Sequence, residues 1–422
     1  MTPEAPRAGD DAAVDARPLD AAEVERLRAE TPGCAHVTHF NHAGSSLPPG
    51  VVVETVVGHL RREAEIGGYE AADEAAERLG AVYGSLARLL NAESEDIAIV
   101  ENATRAWDLV FYAIPFAPGD RILTSVSEYG SNVIAFLQVA GRGIKVEVVP
   151  NDASGQLDVE ELARRMDDRV KLVAVSHMPT NGGLLQPAAA IGEVVRGSGA
   201  IYLLDACQTA GQVPLHVEEI GCDFLTASAR KYLRGPRGIG FLYAGQPWRT
   251  RLTPPFLDMR AAELVATDRY QVRDDARRFE NWESSIANVL GMGAAVDYAL
   301  EIGLDRIWVT VRRRAETLRA VLTALPGDRV AVHDLGAERG GIVSFTVEGW
   351  DAEAIKGELR SRAINVSVTG ISSTRSDMEA RGLDQMVRAS VHYLTTDEDI
   401  ERLGGAIGAL APGNAPPPGG RV

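Results

Sequence analysis

Short runs of β-branched and aliphatic residues recur at 97–100, 121–124, 145–149, 172–175, 201–204 and 224–227, and each predicts a strand. Longer stretches with helical spacing separate most of them, a rhythm that predicts an α/β domain with a mostly parallel sheet. Pro187 opens a run at 187–195 that reads as a crossover helix, since proline's missing N–H has no intrahelical partner in a first turn. At 288–302 the apolar positions Val289, Met292, Ala295, Val296 and Ala299 follow a helical face, and Gly303 is the expected stop. From Ile307 the pattern changes to a long Arg-rich helix, strands at 329–332, 341–347 and 385–391, and a helix at 352–362. That mixture predicts a smaller α+β domain.

Composition sets the ends apart. The stretch 1–18 is rich in Ala, Pro and Asp, and 411–422 is dense in Pro and Gly, so both are expected to be disordered tails. Between them the expected organisation is an N-terminal segment 19–35 joining the small domain, a large domain 36–305 and a small C-terminal domain 306–410. The arginines within 306–319 read as a solvated helix face.

Charge narrows the partners. The 422 residues carry 43 Lys and Arg against 59 Asp and Glu, a net charge of −16, the opposite of a nucleic-acid-binding balance. The cysteines Cys34, Cys207 and Cys222 are odd in number and form no C-x-x-C pair, which speaks against a disulfide framework and for a reducing, cytoplasmic setting. No apolar run approaches the roughly 18 residues of a spanning helix, and the opening is acidic without a basic head and apolar centre, so neither membrane insertion nor export is expected. His36, His39 and His42 are not read as a metal site, because in an extended segment the middle ring points away from the other two. Cys207 and Cys222 read as small core residues.

The chemistry-bearing stretch is Tyr202-Leu203-Leu204-Asp205-Ala206-Cys207-Gln208, followed by Ser228-Ala229-Arg230-Lys231. An acid closing one apolar strand and a lysine soon after the next place both at carboxyl ends of neighbouring strands, where open α/β sheets bind ligands. With these residues the chain, from about 36 to 405, resembles the class V aminotransferase family of fold-type I pyridoxal phosphate enzymes, which includes cysteine desulfurases and several carbon–sulfur lyases.

The resemblance implies the fold-type I pyridoxal phosphate-dependent transferase fold, the cofactor pyridoxal 5′-phosphate, a small amino-acid substrate, and a homodimer with sites near the subunit interface. Lys231 matches the Schiff-base lysine, and Asp205 the carboxylate that keeps the cofactor's ring nitrogen protonated. Gln208 matches the donor to the phenolic oxygen, and His177 stands where the family has an asparagine near that oxygen. Ser228 and Arg230 match phosphate ligands, as do Ala103 and Thr104 in the turn after Val100-Glu101-Asn102. Tyr129, in Ser127-Glu128-Tyr129-Gly130-Ser131-Asn132, stands where an aromatic ring covers the cofactor. Arg388 matches the arginine that grips the substrate's α-carboxylate, and Ala43 and Gly44 lie in a substrate-facing turn. Tyr69, after Gly67-Gly68, is a substrate-loop candidate, with a plain helix break as its alternative. Trp282-Glu283 replaces the family's Gly-Thr pair and makes Trp282 a candidate for reshaping the pocket.

A desulfurase of this family needs a small-domain loop cysteine to receive sulfur, and 366–374 contains none. Arg61 to Tyr69, Glu128-Tyr129-Gly130 and Arg230-Lys231 resemble instead the branch that cleaves hercynylcysteine sulfoxide and isopenicillin N epimerase-like relatives. The expected activity is β-elimination from an S-substituted cysteine-type amino acid. The alternatives are transamination, epimerisation or decarboxylating deamination on the same cofactor, and a noncatalytic binding or regulatory protein of this fold.

Overall fold

The computed structural model describes residues 17–410, so the expected disorder of 1–18 and 411–422 falls, but for residues 17 and 18, outside the described residues. Seven strands form the central sheet in the order Ile97–Val100, Gly240–Ala244, Phe224–Ser228, Ile201–Asp205, Val170–Ser176, Arg121–Ser125 and Lys145–Val149. All six strands expected from the apolar runs are present. The seventh, Gly240–Ala244, was not expected, and it runs antiparallel to both neighbours.

Both faces of this sheet are buried, which is why its strands read as continuous apolar runs. Ile122, Leu172, Leu203 and Phe224 pack on one side with Trp107, Phe111 and Phe136. Their neighbours Leu123, Val173, Leu204 and Leu225 point the other way, into a core shared with Met292 and Val296 of helix Ile286–Ile302. The edge strand Lys145–Val149 is the polar exception, and its Glu147 pairs with Arg121 at 2.6 Å.

A second, antiparallel sheet has the order Val330–Val332, Ile342–Val347, Gln385–Ser390 and Ser367–Gly370. It meets the first sheet's loops through Gly341, whose N–H donates to Gln212 Oε1 at 3.0 Å, and the N-terminal segment after Thr38–His39 through Ser390, whose N–H donates to Phe40 O at 2.7 Å. At the chain's start, Asp20 and Glu23 form a capping box on helix Ala21–Ala29. This segment is tied to C-terminal elements: Leu19 N–H donates to Thr310 Oγ1 at 2.9 Å, Arg306 pairs with Glu23 at 2.6 Å and Arg28 with Asp399 at 2.7 Å.

Several local expectations are corrected. Pro187 caps helix Ala188–Val195 rather than lying in its first turn. Gly303, at φ 92°, ends one helix and at once starts the next, Leu304–Thr323. Of the arginines in that helix, Arg312 and Arg313 are exposed as expected, but Arg319 is buried, bound to the buried Asp334 carboxylate at 2.8 Å and to the carbonyls of Gly340 and Ile342. The reason given against a histidine metal site also fails, because the His39 and His42 rings meet edge to face at 4.7 Å. Among the described residues no group of three or more His, Cys, Asp or Glu could hold a metal ion, and no helix is long and apolar enough to cross a membrane.

Candidate active site

Strand register brings the central pair together. Asp205 closes its strand and faces Ser176 on one neighbour and Thr226 on the other, and Lys231 lies in the turn just beyond Ser228. Both line a cleft of about 690 Å³, counted to its open mouth. Tyr129, Gln208, Ser228, Arg230, Ala103 and Thr104 line the same cleft, so eight of the expected residues share one wall system although they come from four separate stretches of chain.

Asp205 is buried, which pushes its carboxyl pKa up, while the Lys231 charge and the Cys207 N–H, at 2.9 Å from Oδ1, favour the ionised form. Among the described residues no hydrogen bond holds the Lys231 amine. A free amine and a fixed carboxylate therefore face one space.

At the other end of the cleft the first turn of helix Ala103–Phe111 supplies N–H groups. Asn102 caps it by accepting from Arg105 N–H at 2.9 Å, and Ala103 N–H donates to Ser228 Oγ at 3.1 Å. The Thr104 N–H has no intrahelical acceptor in such a turn, which suits an anion. Arg230 binds the Gly44 carbonyl through its side chain, and its own carbonyl accepts from Ser46 N–H at 2.9 Å. Gly44 packs against Asn41 so closely that a Cβ would overlap that side chain.

The expected substrate side is one layer back. Arg388 is buried in strand Gln385–Ser390, and its Nη1 donates to the carbonyl and hydroxyl of Thr180, which lines the cleft. Its Nε has no partner, and burial lowers its pKa to about 10, which leaves the guanidinium charged at neutral pH. Ala43 is buried beside the cleft: its N–H donates to Ser390 Oγ at 2.9 Å, and its carbonyl accepts from Gln208 Nε2 at 3.2 Å.

Besides Arg388, Ala43 and Gly44, three more expected residues do not line the cleft. His177 is buried behind it with Nδ1 3.1 Å from Thr209 Oγ1, and burial lowers its pKa to about 4, so the neutral ring is engaged away from the position expected of it. Tyr69 is 79% exposed on helix Gly68–Glu74, and Gly67 at φ 104° makes the plain helix break before it. Trp282 is 57% exposed, with its N–H bound to Asp258.

Not expected as lining residues were Asn102, Asn132, Ser176, Met178 and Thr180, and Cys207 was misplaced: it is only half-buried and lines the cleft instead of filling the core. No signal in the sequence marked Cys207, because the strand before it is buried on both faces and its pattern does not say which side the next residues take.

The donor set fits pyridoxal phosphate. The Thr104 N–H, Ser228 and Arg230 suit its phosphate, and Asp205 its ring nitrogen. Gln208 lines the wall with its Nε2 donor held by the Ala43 carbonyl and the Thr180 hydroxyl, and Lys231 offers a free amine.

Comparison with known proteins agrees. The family model Aminotransferase class-V matches residues 38–403. A cysteine desulfurase of Pectobacterium atrosepticum is 30% identical over 402 residues, covering 90% of this chain and 96% of that protein. The apo structure of a cysteine desulfurase from Thermococcus onnurineus NA1 superposes with a TM-score of 0.84 at 26% identity, over 92% of this chain and 97% of that one. The cystine C–S lyase C-DES, in complex with its reaction product cysteine persulfide, superposes with a TM-score of 0.81 at 26% identity, over 90% of this chain and 100% of that one. A family match across nearly the whole chain, joined to a cleft built for the cofactor, leads to one conclusion: the chain belongs to the aminotransferase class-V family and is a pyridoxal phosphate-dependent enzyme.

Proposed function

We propose that the enzyme is a carbon–sulfur β-lyase that acts on an S-substituted cysteine-type amino acid. The supporting observation is the pairing of a free Lys231 amine with Asp205 in a cleft whose neighbouring small-domain segment, 366–374, carries hydroxyls and no thiol. When bound, pyridoxal phosphate supplies an aldehyde that condenses with amines and a ring that withdraws electrons from the substrate's α-carbon.

The chain's own residues do the rest. Lys231 takes the proton from the α-carbon, and Asp205 holds the ring nitrogen's proton in place by its opposite charge. Arg388 orients the substrate through its carboxylate, using the fork that Thr180 leaves free. Ala103, Thr104, Ser228 and Arg230 hold the phosphate, Tyr129 covers the ring, and Gln208 donates to the phenolic oxygen by turning its Nε2 away from the Ala43 carbonyl and the Thr180 hydroxyl. A homodimeric, cytoplasmic setting belongs to the same proposal.

The second reading is desulfuration of cysteine, and the observation favouring it is the Cys207 thiol in the cleft. Purified holoenzyme given a panel of S-substituted cysteines, and cysteine itself, separates the two. Elimination yields pyruvate and ammonia in equal amounts, because the released aminoacrylate hydrolyses in water. Alanine together with a protein-bound persulfide would overturn the lyase reading, and amino-group transfer to an oxoacid would favour transamination.

A further inference from the structure

A second carboxylate lies buried behind Asp205 and has no part in the chemistry above. Glu128 immediately precedes Tyr129, the residue that caps helix Gly130–Ala140, and five donors converge on it. Oε1 accepts from Tyr129 N–H at 2.8 Å, Asn132 Nδ2 at 2.9 Å and Ser176 Oγ at 2.5 Å. Oε2 accepts from Ser176 N–H at 2.9 Å and Thr124 Oγ1 at 3.2 Å. A protonated carboxyl would bring a hydrogen of its own into this shell of donors, so the shell matches the ionised form, although burial works to raise the Glu128 pKa.

The Asn132 amide is shared. Its Nδ2 also lies 3.4 Å from Asp205 Oδ2, and an NH₂ group has two hydrogens in one plane, one for each carboxylate. Asp205 is thus held at both oxygens, by Cys207 N–H on Oδ1 and by Asn132 on Oδ2. Lys231 is the cation whose charge acts on Asp205, and Asp205 is the charge that acts on Glu128. The neighbouring His177 ring is neutral and turned to Thr209.

We propose that Glu128, acting through Asn132, is a positioning residue that fixes the Asp205 carboxylate and strengthens its hold on the proton at the cofactor's ring nitrogen. The reason is positional: Glu128 fixes the Asn132 amide, the amide fixes Asp205 Oδ2, and a carboxylate held facing the ring nitrogen keeps that proton better than one free to turn. The inference rests on reading Asp205 as the ring-nitrogen partner.

The test is the nitrogen NMR signal of holoenzyme reconstituted with pyridoxal phosphate labelled with ¹⁵N in the ring. Asn132→Ala removes the bridge and keeps a good helix former. It should retain stoichiometric cofactor, move the ring-nitrogen signal toward the unprotonated position with a titration lower by about one pH unit, and reduce kcat about tenfold with little change in KM. Glu128→Gln should move the signal in the same direction; if that variant does not fold, Asn132→Ala decides alone. An unchanged signal and titration in Asn132→Ala overturns the proposal. Asp205→Asn in the same assay separates the two levels: if it leaves the signal unchanged, the reading of Asp205 is wrong, and if it alone moves the signal, only the role of Glu128 fails.

Discussion

Arg388 Nη1 donates to both the carbonyl and the hydroxyl of Thr180, at 2.9 and 2.7 Å, so a cleft-lining residue holds one arm of a buried guanidinium while its Nε stays unpartnered. An arginine so held is oriented before any substrate arrives, which lowers the entropy lost when a carboxylate binds. Arg388→Ala is therefore expected to lower kcat/KM for amino-acid substrates by roughly 30-fold to several thousand-fold, the equivalent of about 2 to 5 kcal/mol. Lysine should rescue only in part, since it lacks the planar fork. Steady-state kinetics beside the cofactor's visible band checks this, and loss of cofactor with an intact specificity constant would remove Arg388 from substrate binding.

The cysteines divide the two readings of the chemistry. Replacing Cys34, Cys207 and Cys222 together should spare turnover, with some stability lost at the fully buried Cys222. The single variant Cys207→Ala is the sharper measurement, because that thiol lines the cleft. A folded Cys207→Ala enzyme that has lost all product formation would make the thiol part of the reaction.

Acid should destabilise the fold in a defined window. His392 is buried, with Nε2 3.0 Å from Tyr232 O and Nδ1 accepting Tyr393 N–H at 2.9 Å, contacts that select the neutral ring protonated on Nε2. Burial lowers its pKa from 6.5 to about 3. Between those values the unfolded chain binds a proton that the folded chain refuses, so stability falls as pH drops from about 6.5 toward about 3. His177, lowered to about 4, acts in the same direction. Denaturant unfolding from pH 7 to pH 4 should show this slope, and His392→Gln should make it shallower by up to one proton. An identical slope in that variant would exclude His392 as a contributor.

The segment Ile371–Ser373 is seated on the start of helix Gly130–Ala140, where a Cβ on Gly130 would overlap the Ser372 carbonyl oxygen. Backbone on both sides leaves little room to give. Gly130→Ala should lower stability by about 1 to 3 kcal/mol and speed hydrogen exchange at 371–374. Unchanged exchange would show that the segment is held from elsewhere, for example by Asp377, which accepts from Asn181 Nδ2 at 2.7 Å.

Removing Arg319 should be far more damaging than removing a surface arginine. Its partner Asp334 is fully buried, and breaking such a pair typically costs about 3 to 5 kcal/mol because the remaining charge is stranded. Arg319→Ala is expected to show that loss in equilibrium unfolding, whereas Arg164→Ala, at an exposed ion pair, should show about 0 to 1 kcal/mol.

Some of this was legible in the residues alone. Strands buried on both faces must be apolar throughout, so Ile97–Val100 or Ile201–Asp205 announced themselves without a partner in view, and Asp205 and Lys231 stood out as polar residues at the ends of such runs. Where each strand lies and which way it runs are different matters. The antiparallel Gly240–Ala244, between Ile97–Val100 and Phe224–Ser228, is placed by pairing across long stretches of chain, and local composition carries no trace of direction. Arg319 looked like its solvated neighbours because burial is a property of what packs on a helix, and Asp334 and the Gly340 carbonyl arrive from another element. The same holds for Glu128, Asn132 and Asp205. One amide can bridge two carboxylates only when a helix start and two strand ends meet within hydrogen-bonding reach, and the tertiary fold alone decides that distance.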